Sequence, residues 1–235
     1  MPILLYNTGN PLLVLYDFKG IAFMNLIKYN RHWDKGFKYP YEKKRLEFEK
    51  LLESLNKRQI FELIGLRRTG KTTLLLQLIN YLIDQGTPGH NIWYFTFDEE
   101  KKSIDELFQD FGLQAGLDFK KDKIYIFLDE IQKLPNFQSQ LKIYYDLYPN
   151  LKFFISGSTS LFIKKKTQES LAGRLISEVL RPLNFREYLY FKNLSHLLEN
   201  ILMYNVELES QFAIFLESQF VETVFFETKQ ERRDY

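Results

Sequence analysis

The sequence predicts an α/β fold: a parallel sheet covered by helices on both faces. Three observations carry this. Short apolar runs alternate with longer amphipathic ones from about residue 59 to residue 180, the pattern of parallel strands joined by helical crossovers. The run Lys123–Leu128 is apolar at nearly every position, as a strand buried on both faces requires. Breaker clusters, Gly86-Thr87-Pro88-Gly89 and Tyr148-Pro149-Asn150, fall between the runs.

Taken in order, Tyr41–Leu55 has helical spacing, with Phe48, Leu51, Leu52 and Leu55 on one face. Gln59–Ile64 reads as the first strand, and a helix runs from Thr72 to the Gly86 breakers. Asn91–Phe97 is the second strand. Ser103 and Glu106 have the spacing of a capping box opening the next helix. Lys123–Leu128 is the third strand, and a helix begins at Pro135-Asn136-Phe137. Leu151–Ile155 is the fourth strand, ending in the turn Ser156-Gly157-Ser158-Thr159. A polar helix is expected to about Gly173, then a fifth strand, Leu175–Leu180, closed by Pro182. From Phe185 onward the texture is helical. The expected division is a lead-in over 1–40, the main domain over 41–184 and a helical C-terminal segment over 185–235.

The 235-residue length suits one large domain, or one domain and the start of a second. Lys and Arg number 32 and Asp and Glu 30, so bulk charge argues for neither a nucleic-acid coat nor a membrane-surface protein. There is no cysteine, which excludes disulfides and thiolate metal sites and is compatible with a reducing, cytoplasmic setting. His32, His90 and His196 lack metal-ligand spacing and are expected on the surface or in packing. The apolar start Pro2–Ile27 is interrupted by Asn7, Asn10, Asp17 and Lys19, so neither a signal peptide nor a membrane span is expected. Residues before Met24 read as an upstream extension that is not native to the folded domain.

The chemistry is concentrated in Gly65-Leu66-Arg67-Arg68-Thr69-Gly70-Lys71-Thr72-Thr73, which has the Walker A, or P-loop, spacing between a strand and a helix. The glycines let successive N–H groups turn inward, and the following helix adds the positive end of its dipole. Lys71 is expected to reach the β- and γ-phosphates of a nucleotide, and the Thr72 hydroxyl to sit on Mg²⁺. At the end of the third strand, Asp129-Glu130 has the Walker B arrangement. Asp129 is expected to hold Mg²⁺ through water, and Glu130 to polarise an attacking water. Ser156 and Ser158 both remain candidates for a sensor contacting the γ-phosphate.

These segments, with Leu171-Ala172-Gly173-Arg174 and Arg181-Pro182-Leu183-Asn184-Phe185-Arg186-Glu187-Tyr188-Leu189, resemble the prokaryotic AAA+-type P-loop ATPases over about residues 40–190. The resemblance implies a three-layer P-loop NTPase sandwich with a five-stranded parallel sheet in the order 5-1-4-3-2. It implies ATP, Mg²⁺ and hydrolysis, a hydrolase acting on an acid anhydride, followed by a C-terminal helical subdomain. Asn184 replaces the family's usual Ser, and Ser218-Gln219-Phe220-Val221-Glu222 stands where relatives tend to have a Gly-Gly-Phe-Pro-Glu-like turn. The helical subdomain is therefore expected to be incomplete. Arg174 occupies the place of an arginine finger, which acts on a neighbouring subunit and implies a homo-oligomer; an Arg paired at a helix end is the competing reading.

The client of such an ATPase is expected to be protein or DNA. Candidate nucleic-acid contacts are Lys164-Lys165-Lys166 and the aromatic–basic stretch 28–41, with Tyr29, Arg31, Trp33, Phe37, Lys38, Tyr39 and Tyr41. That stretch, which carries Asp34 and Pro40, reads better as packing on a domain edge. A nucleotide-operated switch with slow turnover is the alternative reading of the whole.

Overall fold

The computed structural model describes residues 26–99, 102–158 and 171–196. They fall into two compact units that divide between Leu180 and Arg181. The first holds strands β1 (Ile60–Gly65), β2 (Ile92–Thr96), β3 (Ile124–Asp129), β4 (Leu151–Ser158) and β5 (Leu175–Leu180). It also holds helices α1 (Phe48–Ser54), α2 (Lys71–Asp84), α3 (Ile104–Ala115) and α4 (Phe137–Leu147). The strands form one parallel sheet in the order β2-β3-β4-β1-β5. This is the expected order 5-1-4-3-2 read from the other edge. Right-handed crossovers then put α2 on one face and α3 and α4 on the other, and α1 packs on α2 while α3 packs on α4.

Burial explains why the strands read as apolar runs. Every residue of β1 and β3 is buried. Phe127 on β3 stacks on Phe154 of β4 with ring centroids 4.9 Å apart. Trp93 on β2 stacks on Phe111 of α3 at 4.7 Å. The capping box of α3 forms as the spacing predicts, with the Ser103 hydroxyl accepting from Glu106 N and the Glu106 carboxylate from Ser103 N.

Two boundaries differ from the expectation. The helix expected over Tyr41–Leu55 begins only at Phe48. Gln77 of α2 donates Nε2 to Tyr41 O (3.2 Å) and Lys43 O (2.7 Å), so these carbonyls face α2 instead of an intrahelical partner. The fourth strand does not stop at Ile155 but runs on through Ser156-Gly157-Ser158. Residues Ser156, Gly157 and Ser158 pair with Leu63, Ile64 and Gly65 of β1, and that pairing holds the segment extended.

Residues 26–40 of the lead-in pack against the sheet edge. β2 is an edge strand, and unpaired edge groups invite pairing with other chains. Asn30 takes the place of a neighbouring strand: its Oδ1 accepts from Tyr94 N (2.7 Å) and its Nδ2 donates to Tyr94 O (3.0 Å). His32 Nε2 and Trp33 Nε1 both meet Ile92 O, at 3.0 and 2.9 Å. Burial pulls the His32 imidazole down to about 4 and pushes the Tyr39 phenol, on His32 Nδ1, up to about 12. Tyr29 is buried, and Arg31 lies over the Phe37 ring. Lys28 and Lys38 pair with Glu99 and Asp84. The stretch thus has the edge-packing role that its composition favoured.

In the second unit, helix α5 (Phe185–Phe191) opens with a capping box between Asn184 and Glu187. The Asn-for-Ser departure is neutral there, since Asn and Ser are equally good N-caps. The polar helix expected before Gly173, Lys164–Lys166 and the segments Leu194–Tyr204 and Val206–Phe220 lie wholly or largely outside the described residues.

Candidate functional site

The carboxyl ends of β1, β3 and β4 meet at one end of the sheet, where ligands bind in open parallel α/β folds. β1 delivers the loop Gly65–Gly70 there, and α2 starts at Lys71. Two glycines are required sterically. A Cβ on Gly65 would lie 2.5 Å from Leu180 O and 2.9 Å from Thr69 Oγ1, and Gly70 adopts φ 93° at the helix N-terminus. Thr69 Oγ1 donates to Leu66 O at 2.9 Å and closes the loop. Arg68, also left-handed at φ 64°, is exposed with Leu66 and Arg67, so the loop turns these side chains outward.

Lys71 is buried beneath the loop. Its Nζ donates to Leu66 O (2.9 Å) and Gly65 O (3.2 Å) and lies 3.8 Å from Glu130 Oε1. The next residue, Thr72, donates its hydroxyl to Asp129 Oδ2 at 2.6 Å. The sequence spacing therefore becomes a contact between α2 and β3 across 57 residues of chain. Thr73 follows, half-buried, in the first turn of α2.

Asp129 is 2% exposed and collects donors from four places. Thr72 and Tyr94 (3.2 Å) donate to Oδ2, while Ser156 Oγ and Glu130 N (3.2 Å) donate to Oδ1. Burial, then the neighbouring Asp129 carboxylate, raise the Tyr94 phenol above its usual range, so Tyr94 stays a donor. Glu130 turns back sharply at φ 52°, and its carboxylate lies between Lys71 and Gln132, whose Nε2 donates to Oε2. A Thr hydroxyl, a buried carboxylate and a second carboxylate are hard oxygen donors of the kind Mg²⁺ takes alongside phosphates. The donor set fits that ion. Among the described residues no group of three or more His, Cys, Asp or Glu side chains could hold a metal by itself.

The two serines separate. Ser156 is fully buried on Asp129 and Glu130 N. Ser158, half-buried, lies at the end of β4 beside Gly65. Arg174 is not brought to this end of the sheet. It precedes Leu175, which pairs with Ile60, whereas Leu180 pairs with Gly65. The six residues of β5 therefore separate it from the loop, about 20 Å at the usual rise. There it makes a two-pronged ion pair with Asp146 of α4, at 2.8 and 3.1 Å. The ion pair lowers the Asp146 carboxyl below its usual range.

Three residues at the site had no role in the sequence reading. Gln132 was visible within Asp129-Glu130-Ile131-Gln132. Arg45, which donates to Thr69 O at 3.2 Å, had only a basic run to mark it. Tyr94 had no signal in the sequence beyond being an aromatic strand residue.

A parallel sheet in this order, with this loop between β1 and α2 and a carboxylate ending β3, defines the P-loop NTPase fold of AAA proteins. The chain belongs to the AAA domain family, whose model matches residues 57–189, more than half of the sequence. An uncharacterized protein of Methanocaldococcus jannaschii is 33% identical over 181 residues, covering 72% of this chain and 37% of that protein. An uncharacterized protein of Haemophilus influenzae is 32% identical over 134 residues, covering 55% of this chain and 32% of that protein. The chain thus spans only about a third of the length of these curated relatives. Among solved structures, a chain of the S. cerevisiae Hsp104:casein complex matches with a TM-score of 0.50 at 18% identity. The match covers 72% of this chain and 32% of that one, and at this identity the likeness concerns the fold alone. Among the described residues no helix is long and apolar enough to cross a membrane.

Proposed function

We propose that this protein binds ATP with Mg²⁺ and hydrolyses it to ADP and phosphate. The observation that carries the reading is the meeting of Thr72 and Asp129 at 2.6 Å, beside buried Lys71 and the adjoining Glu130. The backbone N–H groups of Leu66–Thr73 and the N-terminus of α2 hold the phosphates. Lys71 exchanges its loop carbonyls for β- and γ-phosphate oxygens and offsets charge that develops there. Mg²⁺, when bound, would withdraw electron density from the phosphates. Thr72 and Asp129 orient it. Glu130 accepts a hydrogen bond from water, which attacks the γ-phosphorus in line. The bond to the β–γ bridging oxygen breaks, ADP leaves, and the proton of the attacking water passes to the phosphate formed. Ser156 orients Asp129 and the Glu130 backbone, and Ser158, at the end of β4 beside Gly65, takes the role of sensor for the γ-phosphate in this reading.

We take residues 41–184 as the nucleotide-binding unit, with 26–40 covering its β2 edge and 185–235 beginning a helical segment. Arg174 lies too far from this chain's own loop to serve it, so a finger role requires a homo-oligomer in which a neighbouring copy presents its loop there. A cytoplasmic setting is consistent with the absence of cysteine. Within the aromatic–basic stretch 28–41 a protein client is favoured over DNA, because Lys28, Arg31 and Lys38 are engaged by acids or by a ring.

The test is phosphate release from ATP, with and without Mg²⁺ and with and without DNA. Metal-dependent release that DNA leaves unchanged is expected. Tight ATP binding with no release would replace hydrolysis by the nucleotide-operated switch, a state in which Lys71 and Gln132 keep hold of Glu130.

A further inference from the structure

Asp129 is the proposed partner of the metal, yet its lone pairs are already engaged. A carboxylate accepts about four hydrogen bonds. Thr72 and Tyr94 occupy Oδ2, and Ser156 and Glu130 N occupy Oδ1. Thr72, Ser156 and Glu130 are contributed by the elements that build the phosphate site. Tyr94 alone comes from the edge strand, and its backbone is clamped on both sides by the Asn30 carboxamide. Its ring lies in the core beside β3, so the hydroxyl has one direction in which to point. A loose edge strand would let that hydroxyl drift; the lead-in prevents it.

We propose that Tyr94 is a positioning residue for the metal-holding carboxylate, with Asn30 fixing Tyr94 in turn. This rests on the metal-dependent nucleotide site proposed above. With these four contacts in place, Asp129 acts on the cation through the Thr72 hydroxyl and through water. Removing the Tyr94 hydroxyl opens one lone pair on Oδ2 and frees the carboxylate to rotate, which weakens the outer contact. Second-sphere changes of this kind cost about 10–100-fold in metal affinity.

The experiment measures binding of a fluorescent ATP analogue, first without metal and then titrated with Mg²⁺, so that it does not depend on turnover. The parent, Tyr94→Phe and the control Tyr39→Phe are compared. Tyr39→Phe removes another largely buried phenol hydroxyl, one held on His32 and Tyr29 O instead of on Asp129. Tyr94→Phe should bind the analogue as the parent does without metal and need about 10-fold more Mg²⁺ for the same gain in affinity. Tyr39→Phe should follow the parent at every Mg²⁺ concentration, whatever its melting temperature. A Tyr94→Phe titration that superposes on the parent's, or a metal-free affinity that falls by the same factor, overturns the proposal. If the parent itself shows no Mg²⁺-dependent gain, the site reading fails first and takes this proposal with it.

Discussion

Two buried lysines sit at opposite ends of the same sheet, and each has an ammonium on two backbone carbonyls. Lys71, at the carboxyl end of β1, donates to Gly65 O and Leu66 O. Lys152, near the amino end of β4, donates to Lys57 O and Gln59 O, which precede β1. Both side chains are almost fully enclosed. Their surroundings separate them. Lys71 has the Glu130 carboxylate at 3.8 Å, the loop amides and the positive end of α2 around it. Lys152 has the Phe154 ring at 5.2 Å and the cation of Lys57 nearby. Burial, and then Lys57, pull its ammonium down to about 8. A buried lysine is therefore not itself a sign of function. What matters is whether carboxylates and inward-turned N–H groups converge on it, and in a parallel sheet that happens at the carboxyl ends of the strands.

The comparison can be broken most severely at Lys71. Lys71→Ala should abolish measurable ATP binding while the protein still melts cooperatively, as read by equilibrium binding and calorimetry. Lys152→Met should leave ATP affinity unchanged in the same assay. Retained ATP affinity in the first variant, or a loss in the second, would erase the distinction.

The next effect lies at the carboxylate beside Lys71. Glu130→Gln should lower the rate of phosphate release by about 10²–10⁴-fold with ATP affinity retained. Normal release by this variant removes Glu130 from the chemistry.

A smaller effect sharpens the other half of the comparison. Between about 8 and the ordinary value of 10.5, the folded chain holds fewer protons on Lys152 than the unfolded chain does. Stability should therefore rise with pH across that window, and the burial cost is felt in full below it. Lys152→Met should flatten this part of the stability profile in urea melts at several pH values. An unchanged slope would mean that the ammonium is solvated.

The smallest expected effect on stability is at Arg174, whose pair with Asp146 is half-exposed. Arg174→Ala should barely move the melting temperature. If it also leaves phosphate release unchanged at concentrations where the chain self-associates, the proposed action on a neighbouring copy is lost.

Much of the site could be read before folding because its parts are local. The spacing from Gly65 to Thr73 constrains a single turn, and the reason for each glycine lies within that turn or against the neighbouring strand. Asp129 followed Ile124–Leu128, a run whose apolarity announces a buried strand. The order of the strands came from resemblance, and the parallel pairings agree with it. The late start of α1 was hidden because Gln77, which holds Tyr41 O and Lys43 O, lies more than thirty residues away. The length of β4 was hidden because small polar residues read as a turn unless a strand is known to lie alongside.

By itself the sequence determined the fold class, the phosphate loop and the two acidic positions, since each is written in short-range periodicity or spacing. Only the tertiary structure decided that Ser156 belongs to Asp129, that Tyr94 and Asn30 brace that carboxylate from the sheet edge, and that Arg174 stands at the far end of β5. Those are contacts between strands distant in the chain. The register of the sheet sets them, and no local pattern of residues encodes which side chains a register will bring face to face.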